Sequence, residues 1–208
     1  RAVTRFGGAV RMNFANSDDS ILIERCIKGD RSALDDLIHK YQQRAYQFAF
    51  RLTADHDQAF DLTAEAFVRA YKSLHSFRRE SQFSTWLFRI LTNCFLDYKK
   101  REKLRQHESI DSLIRTDEGE VQRQVEDSSG SPQDLSEQNE RHRLLQEAIV
   151  KLPEYQRVMI VMDHVDDMSY EEMAEALELP IGTVKSRLNR ARLALRELLE
   201  PVEELFRV

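Results

Sequence analysis

The chain has 208 residues, of which 41% are hydrophobic and 32% are charged, enough material for one large domain or two small ones. Six glycines and four prolines are few chain breakers, which argues against a turn-rich β sandwich and favours helices. Two cysteines exclude a disulfide framework and a structural zinc site, and no apolar run is long enough for a membrane span. With no visible signal peptide, the expected location is the cytoplasm. The net charge of −5 would argue against nucleic-acid binding only if it were evenly distributed.

The charge is concentrated in one segment. Residues 102–140 contain eleven acidic and four basic side chains, a net charge of −7, which leaves +2 for the rest of the chain. The segment has no aromatic residue and includes an Asp-Ser-Ser-Gly-Ser-Pro run. Such a composition cannot bury enough apolar surface to offset the entropy lost on ordering. We therefore predict an all-α fold in which a flexible acidic linker, 106–138, joins two small helical domains, 18–105 and 139–208. Residues 1–17 are set aside as an N-terminal extension or cloning remnant.

The N-terminal domain shows the three- and four-residue apolar spacing of four helices. The first is predicted to end at Gly29, since glycine suits the left-handed position that closes a helix. The third follows Asp57 and is predicted to include Phe67 and Tyr71 among its inward residues. This pattern indicates a four-helix domain whose apolar stripes form its core.

The C-terminal domain contains a predicted helix-turn-helix. Ser169 and Glu172 fit a capping box, in which the serine caps the start of a helix and the glutamate reaches back to it. A break at 178–182 precedes a second helix, predicted from Thr183 onwards. A basic outward face with interleaved polar residues is typical of a helix that enters the major groove. The basic residues of this face are Lys185, Arg187, Arg190, Arg192 and Arg196.

Two sets of motifs occur in order, one in each half. The first consists of Asp-Leu-Thr-Ala-Glu-Ala-Phe at 61–67 and Phe-Ser-Thr-Trp-Leu-Phe-Arg-Ile at 83–90, followed by Asn93. The second consists of Ser-Tyr-Glu-Glu-Met-Ala at 169–174 and Gly-Thr-Val-Lys-Ser-Arg-Leu-Asn-Arg-Ala at 182–191. The two sets resemble regions 2 and 4 of bacterial sigma-70 family sigma factors of the extracytoplasmic function (ECF) group. The resemblance implies an alternative sigma factor that binds core RNA polymerase and directs promoter recognition, promoter melting and transcription initiation.

The resemblance also implies roles for individual residues. In this family the helix that includes 61–67 docks on the clamp coiled coil of the largest polymerase subunit, which assigns polymerase binding to Asp61, Glu65 and Phe67. The loop and helix that follow recognise the −10 element as a melted single strand, and Asn93 would help to line a pocket for a flipped-out base. Lysines and arginines nearby would contact the phosphates, and Trp86 is expected in the core. The −10 candidates are Arg78, Arg79, Asn93, Lys99, Lys100 and Arg101, with Lys103 beside them. The candidates for duplex contacts at the −35 element are Lys185, Ser186, Arg187, Asn189 and Arg190.

Two positions depart from the family pattern on the polymerase-docking helix. Phe60 stands where family members usually have an acidic residue, and Ala64 stands where they usually have glutamine. Thr63 lies between Asp61 and Glu65, so its phosphorylation would restore negative charge near the start of the helix. We therefore consider Thr63 as a regulatory site, the alternative being that it is an ordinary exposed residue and that Phe60 packs.

Other classes of function fit the sequence less well. A glycine-rich phosphate loop, a nucleophile elbow and clustered metal ligands are all missing from the sequence, so no enzymatic activity, cofactor or metal is expected. A sigma-like decoy that binds an anti-sigma protein without DNA should lack the basic residues of the second helix. A helix-turn-helix repressor leaves the region 2 motifs unexplained. An anti-sigma protein stays open as a further partner.

Overall fold

The computed structural model describes residues 16–77, 81–110, 132–164 and 167–202. Within these ranges the chain forms eight α-helices, short 3-10 segments at Leu74–Ser76 and 200–202, and no strand, which confirms the predicted all-α fold. None of these helices combines the length and the apolar character needed to cross a lipid bilayer. The helices are α1 (Asn16–Ile27), α2 (Arg31–Thr53), α3 (His56–Ser73), α4 (Phe83–Ile110), α5 (Pro132–Lys151), α6 (Glu154–His164), α7 (Tyr170–Leu177) and α8 (Ile181–Leu199).

Helices extend into both ends of the segment predicted as a linker. Residues 106–110 continue α4 and residues 132–138 begin α5, where flexible chain was expected. Residues 111–131 of that segment, and residues 1–15 of the predicted N-terminal extension, lie outside the described residues. A high charge and a lack of aromatic residues do not prevent helix formation, because glutamate, glutamine, lysine and arginine are good helix formers.

Local capping explains where the first helices begin and end. Gly29 has φ +88°, the left-handed conformation predicted for it at the end of α1. Asp30 then caps α2 by accepting a hydrogen bond from the backbone N–H of Ser32 at 3.0 Å. Asp55 caps α3 in the same way, accepting from the backbone N–H of Gln58 at 2.8 Å.

Small residues of α3, rather than the rings of Phe60 and Tyr71, face the core, and Phe67 packs against its edge as predicted. Tyr71, predicted to point inwards, is 50% exposed, and Phe60 is 67% exposed. Alanine side chains allow α3 to pack closely against α2, which leaves little room for large rings between the two helices. The buried residues of α3 that form this contact face include Ala59, Leu62, Ala66 and Ala70.

The helix-turn-helix has the predicted capping box. The backbone N–H of Glu172 donates to the Ser169 hydroxyl at 3.1 Å, and the Glu172 carboxylate accepts from the backbone N–H of Ser169 at 2.8 Å. The second helix, α8, starts at Ile181, two residues before the predicted start at Thr183. The reason is that the Pro180 carbonyl already accepts from the backbone N–H of Thr183 at 2.8 Å, so the turn at 181–182 is helical.

The two halves of the chain pack against each other. Their buried side chains form one continuous cluster, with α2 in contact with α5 and α6, and α4 in contact with α7. Arg157, at the start of α6, is only 6% exposed. Its guanidinium donates to the Leu52 carbonyl at 2.7 Å and to the Leu152 carbonyl at 3.1 Å, and lies 5.7 Å from the centroid of the Phe95 ring. A buried cation thus joins the carboxyl ends of α2 and α5.

Candidate nucleic-acid and polymerase interfaces

The candidate −35 residues on α8 lie on its solvent side. Four apolar residues of the helix face the core, while all five candidates are exposed. The Lys185 ammonium lies 5.7 Å from the centroid of the Tyr170 ring, a cation–π contact that links the second turn of α8 to the first residue of α7. Arg192, predicted on the same basic face, forms an ion pair with Asp163 of α6 at 2.7 Å, so it anchors α8. The exposed candidates are Lys185, Ser186, Arg187, Asn189 and Arg190.

The candidate −10 residues on α4 fall on different faces. Asn93 and Lys100 are exposed and lie seven residues apart, so they share one face of the helix. Lys99 lies on another face, where its side chain is 21% exposed and pairs with Glu102 at 2.7 Å. Of these three, only Asn93 and Lys100 therefore share one exposed face of α4. Two further candidates lie outside the described residues, Arg78 and Arg79.

Trp86 is half-buried in an aromatic cluster at the start of α4. Its ring centroid is 5.1 Å from that of Phe77 and 5.7 Å from that of Phe83. Phe83 in turn lies 5.1 Å from the ring of Tyr41 on α2. The tryptophan thus packs Phe77, the residue that directly follows the 3-10 helix, onto the domain, as expected of a core residue.

The candidate polymerase-binding face of α3 is strongly acidic on one side. Asp61 is exposed, Glu65 is partly exposed and Phe67 is half-buried. Both carboxylates line a surface groove of about 1010 Å³ between α3 and α4. An excess of carboxylates in a groove favours a basic partner. The other charged residues of the groove are Asp55, Asp57, Glu102, Arg101 and Arg105.

An ion-pair network connects this acidic side to α4. The Arg69 guanidinium donates to Asp97 of α4 at 2.9 Å and to Glu65 at 2.5 Å. The hydrogen bond that Arg69 donates to Asp97, and after it the one that it donates to Glu65, raises the pKa of Arg69 above its usual range. Arg101, a −10 candidate, approaches Glu65 at 3.7 Å. Glu65 and Arg101 are thus partly engaged within the chain.

Sequence reasoning missed an exposed apolar stripe on α3. Phe60 is 67% exposed, Val68 52% and Tyr71 50%, and Ala64 lies between the first two. Positions separated by four, eight and eleven residues share one helix face, so these side chains form a continuous apolar stripe beside the acidic side. This spacing is readable in the sequence, but the apolar pattern predicts an inward Tyr71 and leaves packing of Phe60 as one of two alternatives.

The structure contradicts a regulatory role for Thr63. Its side chain is buried, with the residue 9% exposed, and its hydroxyl donates to the Ala59 carbonyl at 2.7 Å. A kinase would have to unfold this part of α3 to reach the hydroxyl. The alternative is also wrong, because Thr63 is not exposed and Phe60 does not pack.

Residue types that bind metals are dispersed. Across the described part of the chain, no group of three or more histidine, cysteine, aspartate or glutamate side chains could hold a metal ion. Cys26 and Cys94 are both buried thiols in the N-terminal half. Burial raises the pKa of Cys94 to about 11, so this thiol stays protonated and unreactive near neutral pH.

Comparisons with known proteins identify both halves. Residues 37–105 match the family described as sigma-70 region 2, and residues 142–195 match sigma-70, region 4. The chain is 35% identical to the ECF RNA polymerase sigma factor SigW of Bacillus subtilis (strain 168) over 178 residues, which cover 85% of this chain and 94% of the relative. It is 34% identical to the ECF RNA polymerase sigma-E factor of Escherichia coli (strain K12) over 184 residues, covering 88% and 95% of the two chains.

Solved structures show the same architecture. The sigma factor RpoE of Bartonella quintana, in complex with the anti-sigma factor NepR, is 29% identical with a TM-score of 0.60, over 80% of this chain and 96% of that chain. CnrH, in complex with the cytosolic domain of CnrY, shares the fold at 24% identity with a TM-score of 0.63, over 89% and 99% of the two chains. The motifs, the two matched regions and the full-length relatives agree, and the chain belongs to the ECF group of sigma-70 family sigma factors, alternative sigma factors that bind core RNA polymerase and direct promoter-specific transcription initiation.

Proposed function

We propose that α4 provides the single-strand contacts and α8 the duplex contacts through which this sigma factor recognises its promoter. The main support is the exposure of Asn93 and Lys100 on one face of α4, together with the five exposed candidates of α8. An amide both donates and accepts hydrogen bonds, which suits Asn93 to the edge of a flipped base. Lys100, which lies about two helical turns after Asn93 on the same face, suits a phosphate of the same strand. The two interfaces thus use different chemistry for different forms of DNA.

The polymerase contact in this proposal combines charge with apolar burial. Asp61 provides an exposed carboxylate, while Phe60, Val68 and Tyr71 provide apolar area on the neighbouring face. A coiled coil with basic residues beside an apolar ridge would cover both parts at once. The apolar stripe offsets the missing acidic residue at position 60, because burial of a ring supplies binding free energy without a charge.

Run-off transcription with core polymerase tests the assignment of Asn93. Asn93→Ala should reduce open-complex formation on a promoter that the wild type uses, by the roughly 1–3 kcal/mol typical of one specific base contact. Binding to core polymerase should be unchanged. Gln43→Ala removes an exposed amide from α2 and serves as the matched control. Unchanged open-complex formation in Asn93→Ala would show that the base pocket lies elsewhere.

Regulation by an anti-sigma protein is a further part of the proposal. Its support is the relative RpoE, which shares 29% identity and was solved in complex with an anti-sigma factor. We also place the protein in the cytoplasm, where polymerase and chromosome meet. Co-purification of the tagged chain with proteins encoded beside it, followed by inhibition of run-off transcription by the purified candidate, tests this partner.

A further inference from the structure

Tyr170, the first residue of α7, places its ring against a side chain on the DNA-facing side of α8. The Lys185 ammonium lies 5.7 Å from the centroid of this ring, within the roughly 6 Å over which an aromatic ring attracts a cation. Tyr170 is half-buried, whereas Lys185 is exposed. The first helix of the helix-turn-helix thus restrains a charged side chain of the second helix.

The ring of Tyr170 is itself held in place within the C-terminal half. It packs against the buried apolar cluster, and Ser169, the residue before it, caps α7. Burial lowers the pKa of Arg192, but hydrogen bonds to Asp163 and then to the Tyr170 hydroxyl raise this pKa above its ordinary value. Arg192 is in turn paired with Asp163 at 2.7 Å. Tyr170 therefore offers Lys185 a ring that is in place before DNA binds.

Lys185 lies where a recognition helix reads bases. α8 begins at Ile181, so Lys185 is in the N-terminal part of the helix, the part that reaches base edges in the major groove. Asn189 lies one turn further along the same face. The edge of guanine presents two acceptors, O6 and N7, which no other base presents together, and a lysine ammonium can donate to both. The position and the chemistry of Lys185 both suit a guanine edge.

Contact with the ring restricts the lysine before it meets DNA. A mobile lysine loses rotamer freedom when its ammonium is fixed at one base, and this loss lowers affinity. Attraction to the ring removes part of that freedom in advance, while the ammonium keeps its charge and still has N–H donors for a second partner. A phosphate contact gains less from the restriction, because phosphates line the whole groove and a mobile lysine reaches one in many conformations.

We propose that Tyr170 is a positioning residue for duplex recognition, which orients Lys185 of α8 towards the edge of a guanine in the major groove. This inference rests on the proposed role of α8 and adds to it that a residue of α7 contributes to sequence specificity. Because positioning concerns one base edge, its loss should lower the affinity for the specific duplex alone. A general weakening of the helix-turn-helix would lower the affinity for any DNA.

Binding of the holoenzyme to two duplexes separates these cases. The first duplex is recovered from a random-sequence pool by selection with the wild-type holoenzyme, and the second has the same bases in scrambled order. Tyr170→Leu should lower the affinity for the selected duplex roughly twofold to fivefold, the scale of one exposed cation–π contact, without a change for the scrambled duplex. Tyr170→Phe keeps the ring and should bind both duplexes as the wild type does. Equal losses on both duplexes in Tyr170→Leu, no loss on either, or the same defect in Tyr170→Phe would overturn the proposal.

Lys185→Met tests whether the ring acts through the lysine. This variant alone should lower the affinity for the selected duplex about fivefold or more, the scale of one base-edge contact, and the addition of Tyr170→Leu should cause no further loss. Replacement of single guanines by 7-deazaguanine, which lacks the N7 acceptor, should weaken binding of the wild type at one position and leave Lys185→Met unaffected there. A further loss in the double variant, or the lack of such a guanine, would refute the proposed positioning.

The matched control removes a ring from another helix. Tyr155 of α6 is 61% exposed, and Tyr155→Leu should leave the affinity for both duplexes unchanged. The two proposals also fail in different ways. If α8 does not contact the duplex, Lys185→Met and Arg190→Ala both leave binding of the holoenzyme unchanged. If only the positioning is wrong, Lys185→Met still weakens binding, whereas Tyr170→Leu either binds as the wild type does or weakens on both duplexes alike.

Discussion

The capping box of α7 offers a quantitative test of how the helix-turn-helix is stabilised. α7 has only eight residues, which is too short for a helix that relies on propensity alone. Ser169 is exposed, so Ser169→Ala creates no cavity and removes only the hydroxyl that accepts from the backbone N–H of Glu172. Loss of a serine cap costs about 1 kcal/mol, within a range of roughly 0.5–2. For a chain of this size, that corresponds to a decrease in Tm of about 2–4 °C.

Urea denaturation followed by circular dichroism measures this free energy. Ser169→Asp is the matched variant, because a carboxylate also caps and adds a favourable charge at the start of the helix. We expect Ser169→Ala to lower the free energy of unfolding and Ser169→Asp to leave it near the wild-type value. If both variants are equally destabilised, the hydroxyl is not acting as a cap. If neither is, the packing of Met173 and Ala176, both buried, is sufficient to hold α7.

Three other predictions use the same structure. Arg190→Ala should weaken binding of the holoenzyme to a duplex −35 probe and decrease the dependence of that binding on salt by about one counterion, whereas Arg196→Ala, in the last turn of α8, should not. Cys94 should react with a thiol reagent only after denaturation, since burial raises its pKa to about 11 and hides it; reaction of the native protein at neutral pH would contradict the structure. The hydrogen bond from Lys103 holds the pKa of Glu154 below its ordinary value of 4.5, so this contact stabilises the fold above pH 4.5 and is lost as the pH falls through the lowered pKa. The free energy of unfolding should therefore fall more steeply below pH 4.5 in the wild type than in Glu154→Gln, and parallel curves would refute this.

Features that depend on nearby residues were predictable from the sequence. The end of α1 at Gly29 and the capping box at Ser169 follow from backbone chemistry within a few positions, and both are present. The docking of the two halves was not predictable in this way. The bond between Arg157 and the Leu52 carbonyl joins residues 105 positions apart, and no local pattern specifies such a partner. The only local indication that Arg157 is buried was its position directly before the apolar run 158–162.

The orientation of α3 shows a second limit of pattern reading. Its sequence has apolar residues on more than one side, and ring size suggested that Tyr71 belonged to the core. The structure instead buries Ala59, Ala66 and Ala70, because close approach of two helices selects small side chains. The same orientation of α3 buries Thr63 and exposes Phe60. Both outcomes are the opposite of the expected exposed Thr63 and packed Phe60. Hydrophobicity alone does not determine which apolar side of a helix faces its neighbour.

The apolar stripe of α3 also affects how the purified protein behaves at high concentration. A second copy of the chain could pack on the exposed side chains of Phe60, Val68 and Tyr71. The neighbouring Asp61 and the other carboxylates of the acidic groove repel that copy. At 0.1 M, salt screens the repulsion between charges that lie more than about 10 Å apart, but it does not weaken the attraction between apolar side chains. Free chain kept away from polymerase should therefore stay dispersed in dilute buffer and self-associate as salt is added, the opposite of an assembly held together by ion pairs.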